Sequence, residues 1–190
     1  MIAWLPNYQT TRQERGQVMI LGVLILMIFV FLATALVDVY AIYEARSWGY
    51  QVAQQAALAG ASVGRDWSNS TRPPGGGCTG PGPVELDTSA AQNAAVTMMN
   101  SEMAQRGLSL TAFDIRVLPD YDGGTVASYP PVPIRLGAGL GNWSSDEPAV
   151  GVYLSFPVST FLMSLVGRAT VPIRVFASAS VGQPIGVCPP

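Results

Sequence analysis

Residues 18–37 read VMILGVLILMIFVFLATALV, twenty positions without a charge, lying between Arg15 and Asp38. As a helix rising ~1.5 Å per residue they cover roughly 30 Å, the thickness of a bilayer's hydrocarbon core. The stretch predicts a single membrane span, and every other reading has to be compatible with that tether. Ala33-Thr34-Ala35 also fits the small-residue cleavage pattern of a signal peptide. The apolar character runs on unbroken through Val37, which favours a retained anchor over a removed leader.

The flanks give an orientation. Arg12 and Arg15 precede the run, whereas Asp38 and Glu44 follow it closely, with Arg46 further on. Positive charge stays on the cytoplasmic side. The expected topology is a single pass through the cell (inner) membrane, with residues 1–15 as a cytoplasmic tail and everything beyond about residue 38 outside. Asp38 reads in two ways, as the polar residue that ends the span or as a contact to a partner subunit.

The helix is expected to continue past the bilayer. Residues 16–63 contain no proline, and Ala, Gln, Leu, Glu and Arg dominate the second half. Ala45, Gly49, Val52, Ala56, Ala59 and Val63 recur every three or four residues and form a helix-packing seam of small apolar side chains. Small residues allow close backbone approach. The seam either docks partner helices or packs against the chain's own globular part.

Residues 64–86 are a Pro/Gly-rich loop. Its triple glycine at 75–77 lacks the Lys-Ser/Thr pair of a phosphate loop. Residues 87–190 read as an extracytoplasmic α+β domain. A helix over 88–106 takes its cap from Asp87, Thr88 or Ser89, stops at Gly107, and carries an apolar stripe through Ala91, Ala95, Met98 or Met99, and Met103. Alternating strands are expected at Thr111–Val117, Val150–Phe156 and Val171–Ala179. Residues 119–149 are loop-rich. Residues 157–166, PVSTFLMSLV, predict a short helix with Pro157 in its first turn, or an apolar loop lying against membrane or core. The fold class is therefore α+β: a long N-terminal transmembrane helix extending outward, then a small domain with a second helix and a mostly antiparallel sheet.

The composition is poor in chemistry. All ten basic residues are Arg; Lys and His are absent, and net charge is −2. An imidazole base, a Schiff-base amine and a histidine metal ligand are thereby excluded. No basic cluster supports nucleic-acid binding. Asp120 and Asp122 before Gly123 lack the further ligands of a calcium loop and read as an acidic turn. No catalytic constellation, cofactor motif or small-molecule site is expected, and the chain reads as a non-enzyme. Cys78 and Cys188 both fall on the outer side, where a disulfide is permitted. Joined, they close a loop of about 110 residues, worth at most ~4–5 kcal/mol by chain entropy; two unpaired thiols are the other reading.

The segment ERGQVMILGVLILMIFVFLATALVDVYAIYEARSWGYQVAQQAALAGA resembles the amino terminus of TadE/TadG-like proteins of tight-adherence pilus systems. Arg15-Gly16-Gln17, Asp38-Val39, Arg46, Gln51 and the Ala56–Ala61 stretch carry the likeness. VGVYLSFPVSTFLMSLVGRATVPIRVFASASVG near the other end is similar to the family's closing strands. Pilin-like members are cleaved after a Gly and carry Glu five residues on. Cleavage after Gly16 puts Leu21 there, so the resemblance implies a permanently anchored structural or assembly protein of the envelope more than a filament subunit. Two other roles fit the same sequence. One is an accessory structural subunit of a large membrane complex, for example an electron-transfer complex. The other is a surface binding module using Trp67 and Trp143 as exposed aromatics. Membrane lipid and other membrane protein subunits are the expected partners.

Overall fold

The computed structural model describes residues 12–68, 82–134, 140–165, 167 and 169–183. Cys78 and Cys188 lie outside the described residues, as does most of the amino-terminal tail.

Helix α1 (Arg12–Val63) is one uninterrupted element of 52 residues, ~78 Å long at the standard helical rise. It is long and apolar enough to cross a membrane. Its two halves differ in surroundings. From Val18 to Leu32 every described side chain is exposed, while Val52, Ala53, Ala56, Ala57 and Ala61 are buried. An exposed run of Ile, Leu, Val, Met and Phe on this scale is a surface made for lipid or protein rather than water.

The chain leaves α1 at Gly64 and returns through a two-stranded closure, in which β1 (Arg65–Asp66) pairs antiparallel with β2 (Glu85–Leu86). The Gln183 side chain clamps the same place: its Nε2 donates to the Val84 carbonyl at 2.9 Å and its Oε1 accepts from the Val84 N–H at 3.0 Å. A side-chain amide here mimics the two bonds of a strand partner.

Helix α2 (Thr88–Gln105) follows at once. Of the three candidate caps, Asp87 does the work, its carboxylate accepting from the N–H of Ser89 at 2.8 Å and of Ala90 at 3.0 Å. These bonds satisfy two of the helix's orphan donors. The helix ends where Gly107 takes φ +63°, a conformation that costs glycine little. Ala91, Ala95, Met99 and Met103 form the buried stripe, and Met98 lies on the outer side.

Hydrogen bonds from Ala90 first, then from Ser89, hold the exposed Asp87 carboxyl below its usual value of 3.8. A folded-state value below the unfolded one contributes stability that is present above the unfolded pKa and lost as pH falls through the folded one. The melting temperature of the full chain in detergent is expected to fall on acidification below about pH 4. Asp87→Asn should flatten that acid limb, and an unchanged limb would rule Asp87 out as a contributor.

Three strands make the main sheet in the order β3–β6–β7, all antiparallel: β3 (Ala112–Leu118), β6 (Ala149–Ser159) and β7 (Thr170–Ser180). The central strand is buried on both faces from Ala149 to Phe156. Val150, Val152, Leu154 and Phe156 face α1 and α2 together with Ile115, Ile173, Val175 and Ala179. The opposite face carries Tyr153 and Phe176, covered by Leu118, Tyr129 and Trp143. The excursion between β3 and β6 supplies Tyr129 and Trp143 of that cover and contains a small ribbon, β4 (Gly124–Val126) paired with β5 (Trp143–Ser145). The fold is α+β.

One expectation is corrected. Pro157 belongs not to a helical turn but to β6, opposite Pro172 of β7. Two residues without N–H groups can face each other only as a non-hydrogen-bonded pair. On its other side β6 has lost its neighbour, because β3 begins opposite Ser155. Proline is tolerated at such an open edge. The short helix α3 starts later and spans Phe161–Leu165.

Candidate functional site

The informative region is the junction where the exposed half of α1 meets the folded domain. Asp38 marks it. This residue is only 8% exposed, and its carboxylate accepts from the Phe161 N–H at 2.8 Å and the Leu162 N–H at 2.7 Å. It therefore caps α3 from 123 residues away in sequence. Thr160 sits where a local cap would be, yet its Oγ1 is buried with no hydrogen-bond partner. Of the two roles open to Asp38 in the sequence, end of the span or contact to another subunit, neither named this intramolecular one. Nothing local signals it, since the recipient amides belong to a distant apolar turn.

The seam residues lie along one side of α1. Gly49, Val52 and Ala56 are buried, Ala45 and Ala59 are half-buried, and Val63 is exposed. A side chain at Gly49 would meet the Phe156 ring at 2.8 Å and Val175 at 3.4 Å. Higher up, the covering element changes from sheet to α2, which approaches from another direction. There Gly60 and Gly64 take over: a Cβ on Gly60 would stand 2.8 Å from the Ala91 carbonyl oxygen, and one on Gly64 2.6 Å from the Ala91 Cβ. The seam thus packs on the chain's own domain over most of its length. Its upper end is left out, and Ala59 and Val63 instead border an open groove with Ala90, Ala94, Thr97 and Met98 of α2, about 560 Å³ in volume.

Aromatic and charged side chains collar α1 above Asp38. Trp48 meets Phe156 edge-to-face at 5.6 Å. The Arg106 guanidinium, just past the end of α2, lies 4.7 Å from the Trp48 ring centre and 3.9 Å from Glu44. The ion pair is exposed and worth little; the cation over indole ties the end of α2 to α1. Tyr40 and Tyr43 project outward, exposed.

Two sequence-named aromatics separate. Trp67 is 50% exposed, but Trp143 is 7% exposed and belongs to the second core with Tyr129 and Phe176. Trp143 is therefore not a surface aromatic, because the back of β6 needs cover and the indole supplies it. Tyr129, also in this core, points its hydroxyl at the carbonyls of Asp114 and Gly151. Burial pushes its phenol far up, so it stays protonated as a hydrogen-bond donor. The Asp120 backbone carbonyl accepts the N–H of Gly123 in a tight turn, and among the described residues no three His, Cys, Asp or Glu side chains converge as metal ligands.

No protein-family model, curated protein or solved structure matches this chain.

Proposed function

We propose that this chain is a non-catalytic, single-pass, membrane-anchored structural or assembly protein of the cell envelope, of the TadE/TadG-like kind that its two ends resemble. The observation that carries the reading is the continuity of α1. One helix supplies both the 20-residue uncharged stretch and a wall of the domain's core. The domain is thereby held at a fixed distance and rotation from the anchor, as suits a scaffold, whereas an enzyme or tethered receptor needs no such coupling. In this reading the amino terminus is cytoplasmic and the domain outside, an orientation that Arg12 and Arg15 before the uncharged run support. Lipid surrounds the lower helix, and other membrane subunits contact the domain.

A second reading is an accessory subunit of a large membrane complex. Leu21 favours it, since a filament subunit processed after Gly16 needs Glu at that position. Affinity purification of the full chain in mild detergent, followed by mass spectrometry, separates the two. Co-purification with a secretion ATPase and its membrane platform supports the pilus-type assembly role. Stoichiometric recovery with respiratory or photosynthetic subunits supports the accessory role and sinks the first. Recovery of the chain alone overturns both.

A further inference from the structure

The loop between β6 and β7 sits at a defined height on α1. Strand β6 runs down the helix: Val150 packs at Gly60 and Phe156 at Gly49, and Phe161 and Leu162 bond to Asp38. From Gly49 to Asp38 the helix descends ~16 Å, and from Phe156 to Phe161 an extended strand descends the same ~16 Å. The α3 turn is thus the end of the domain nearest the uncharged run, and it is fastened at the first charged residue beyond that run. On the same face of α1, Thr34 and Ala35, one turn further down and inside the run, are half-buried.

The turn has an unusual surface for a loop tip. Phe161 is 61% exposed and Leu165 70% exposed. They stand at the level where Leu36, Val37, Val39 and Tyr40 are exposed on α1. The sequence has no charged residue from Pro148 to Gly167. Several polar groups of the tip are paired within the molecule. Asp38 takes the Phe161 and Leu162 N–H groups, the Ala169 carbonyl accepts from Thr160 N, the Ser164 carbonyl accepts from Gly167 N, and the Ser164 hydroxyl donates to the Phe161 carbonyl. Such pairing lets this backbone approach the edge of hydrocarbon without leaving these groups unsatisfied.

We propose that the α3 turn is a second membrane contact, with Phe161 and Leu165 seated among lipid acyl chains in the interface of the leaflet on the domain's side. The proposal rests on the reading of α1 as a membrane span. Because the domain is rigidly joined to α1, two contact points, one spanning and one dipping, limit the tilt of that rigid body against the bilayer plane.

Photocrosslinking tests it on the full chain in vesicles of phosphatidylcholine and phosphatidylglycerol. The photoreactive amino acid p-benzoylphenylalanine is placed in turn at Leu26 in the anchor, at Phe161, and at Phe113, an exposed aromatic on β3. Lipid adducts are read by mass spectrometry. Adducts at Phe161 within about threefold of those at Leu26, and about tenfold above those at Phe113, are expected for an apolar side chain seated in the interface. Adducts at Leu26 but none at Phe161 overturn the second contact and leave the span intact. No adducts at Leu26 overturn the span and the second contact with it. Crosslinking of Phe161 to a second copy of the chain makes the tip a protein interface and overturns the lipid assignment.

Discussion

Gly60→Leu is expected to destabilise the domain by about 3 kcal/mol, a loss set by overpacking. Helix propensity pulls the other way, since leucine is favoured over glycine in a helix interior by a little under ~1 kcal/mol. Any net loss therefore reports sterics. The obstacle is backbone: even a single added methyl group would lie 2.8 Å from the Ala91 carbonyl oxygen, with Val150 at 3.2 Å and the Ala95 Cβ at 3.3 Å. Neither α2 nor β6 can give way without opening the core that both share with α1. The melting temperature of the full chain in detergent should fall by about 10 °C for a domain of this size. Gly22→Leu is the internal control, because nothing lies within 4 Å of a Cβ there. An equal fall for both substitutions would mean that the measurement does not see α1–α2 packing.

Asp38→Ala is expected to cost about 2–3 kcal/mol, because it removes the acceptor for two charge-assisted bonds and leaves two amides unpaired in a part-buried site. The damage should be local. Exchange of the Phe161 and Leu162 amides should speed up by about 30-fold, the equivalent of ~2 kcal/mol of local opening. The α2 amides should hardly change. Asp38→Asn keeps one neutral acceptor oxygen and should fall between the two. If Asp38 only ended the apolar run, both substitutions would leave exchange at 161 and 162 untouched. Hydrogen exchange with mass spectrometric readout, on peptides covering β6 and α3, decides between these outcomes.

The long elements were legible because each is specified locally. The uncharged run and the absence of proline over 16–63 foretell α1, and Asp87 with Gly107 brackets α2 to within a residue. The alternation of Ile173, Val175, Ala177 and Ala179 foretells β7. What escaped were features that depend on a second element. Pro157 resembles a helix start in isolation, and only the premature end of β3 makes it a strand residue. Trp143 sits in a loop-rich stretch, yet the bare back of β6 draws it inside. Asp38 looks like a boundary marker until a turn 123 residues later presents its amides. The packing seam was visible as a pattern of small residues. Which element would fill it, and that its upper end would yield to Gly60 and Gly64, depended on the direction from which α2 arrives.

The unbroken backbone of α1 also makes the molecule a lever. No glycine-proline pair or loop separates its lower half from the half that walls the domain. The part above Asp38 extends ~38 Å to Val63. Set in a bilayer at a tilt of about 20°, the average for spanning helices, such an arm carries its far end ~13 Å sideways from the membrane normal. On the reading of α1 as a membrane span, a change in its tilt is thereby converted into a lateral displacement of the domain, and force applied to the domain is delivered as torque on the exposed apolar half of the helix.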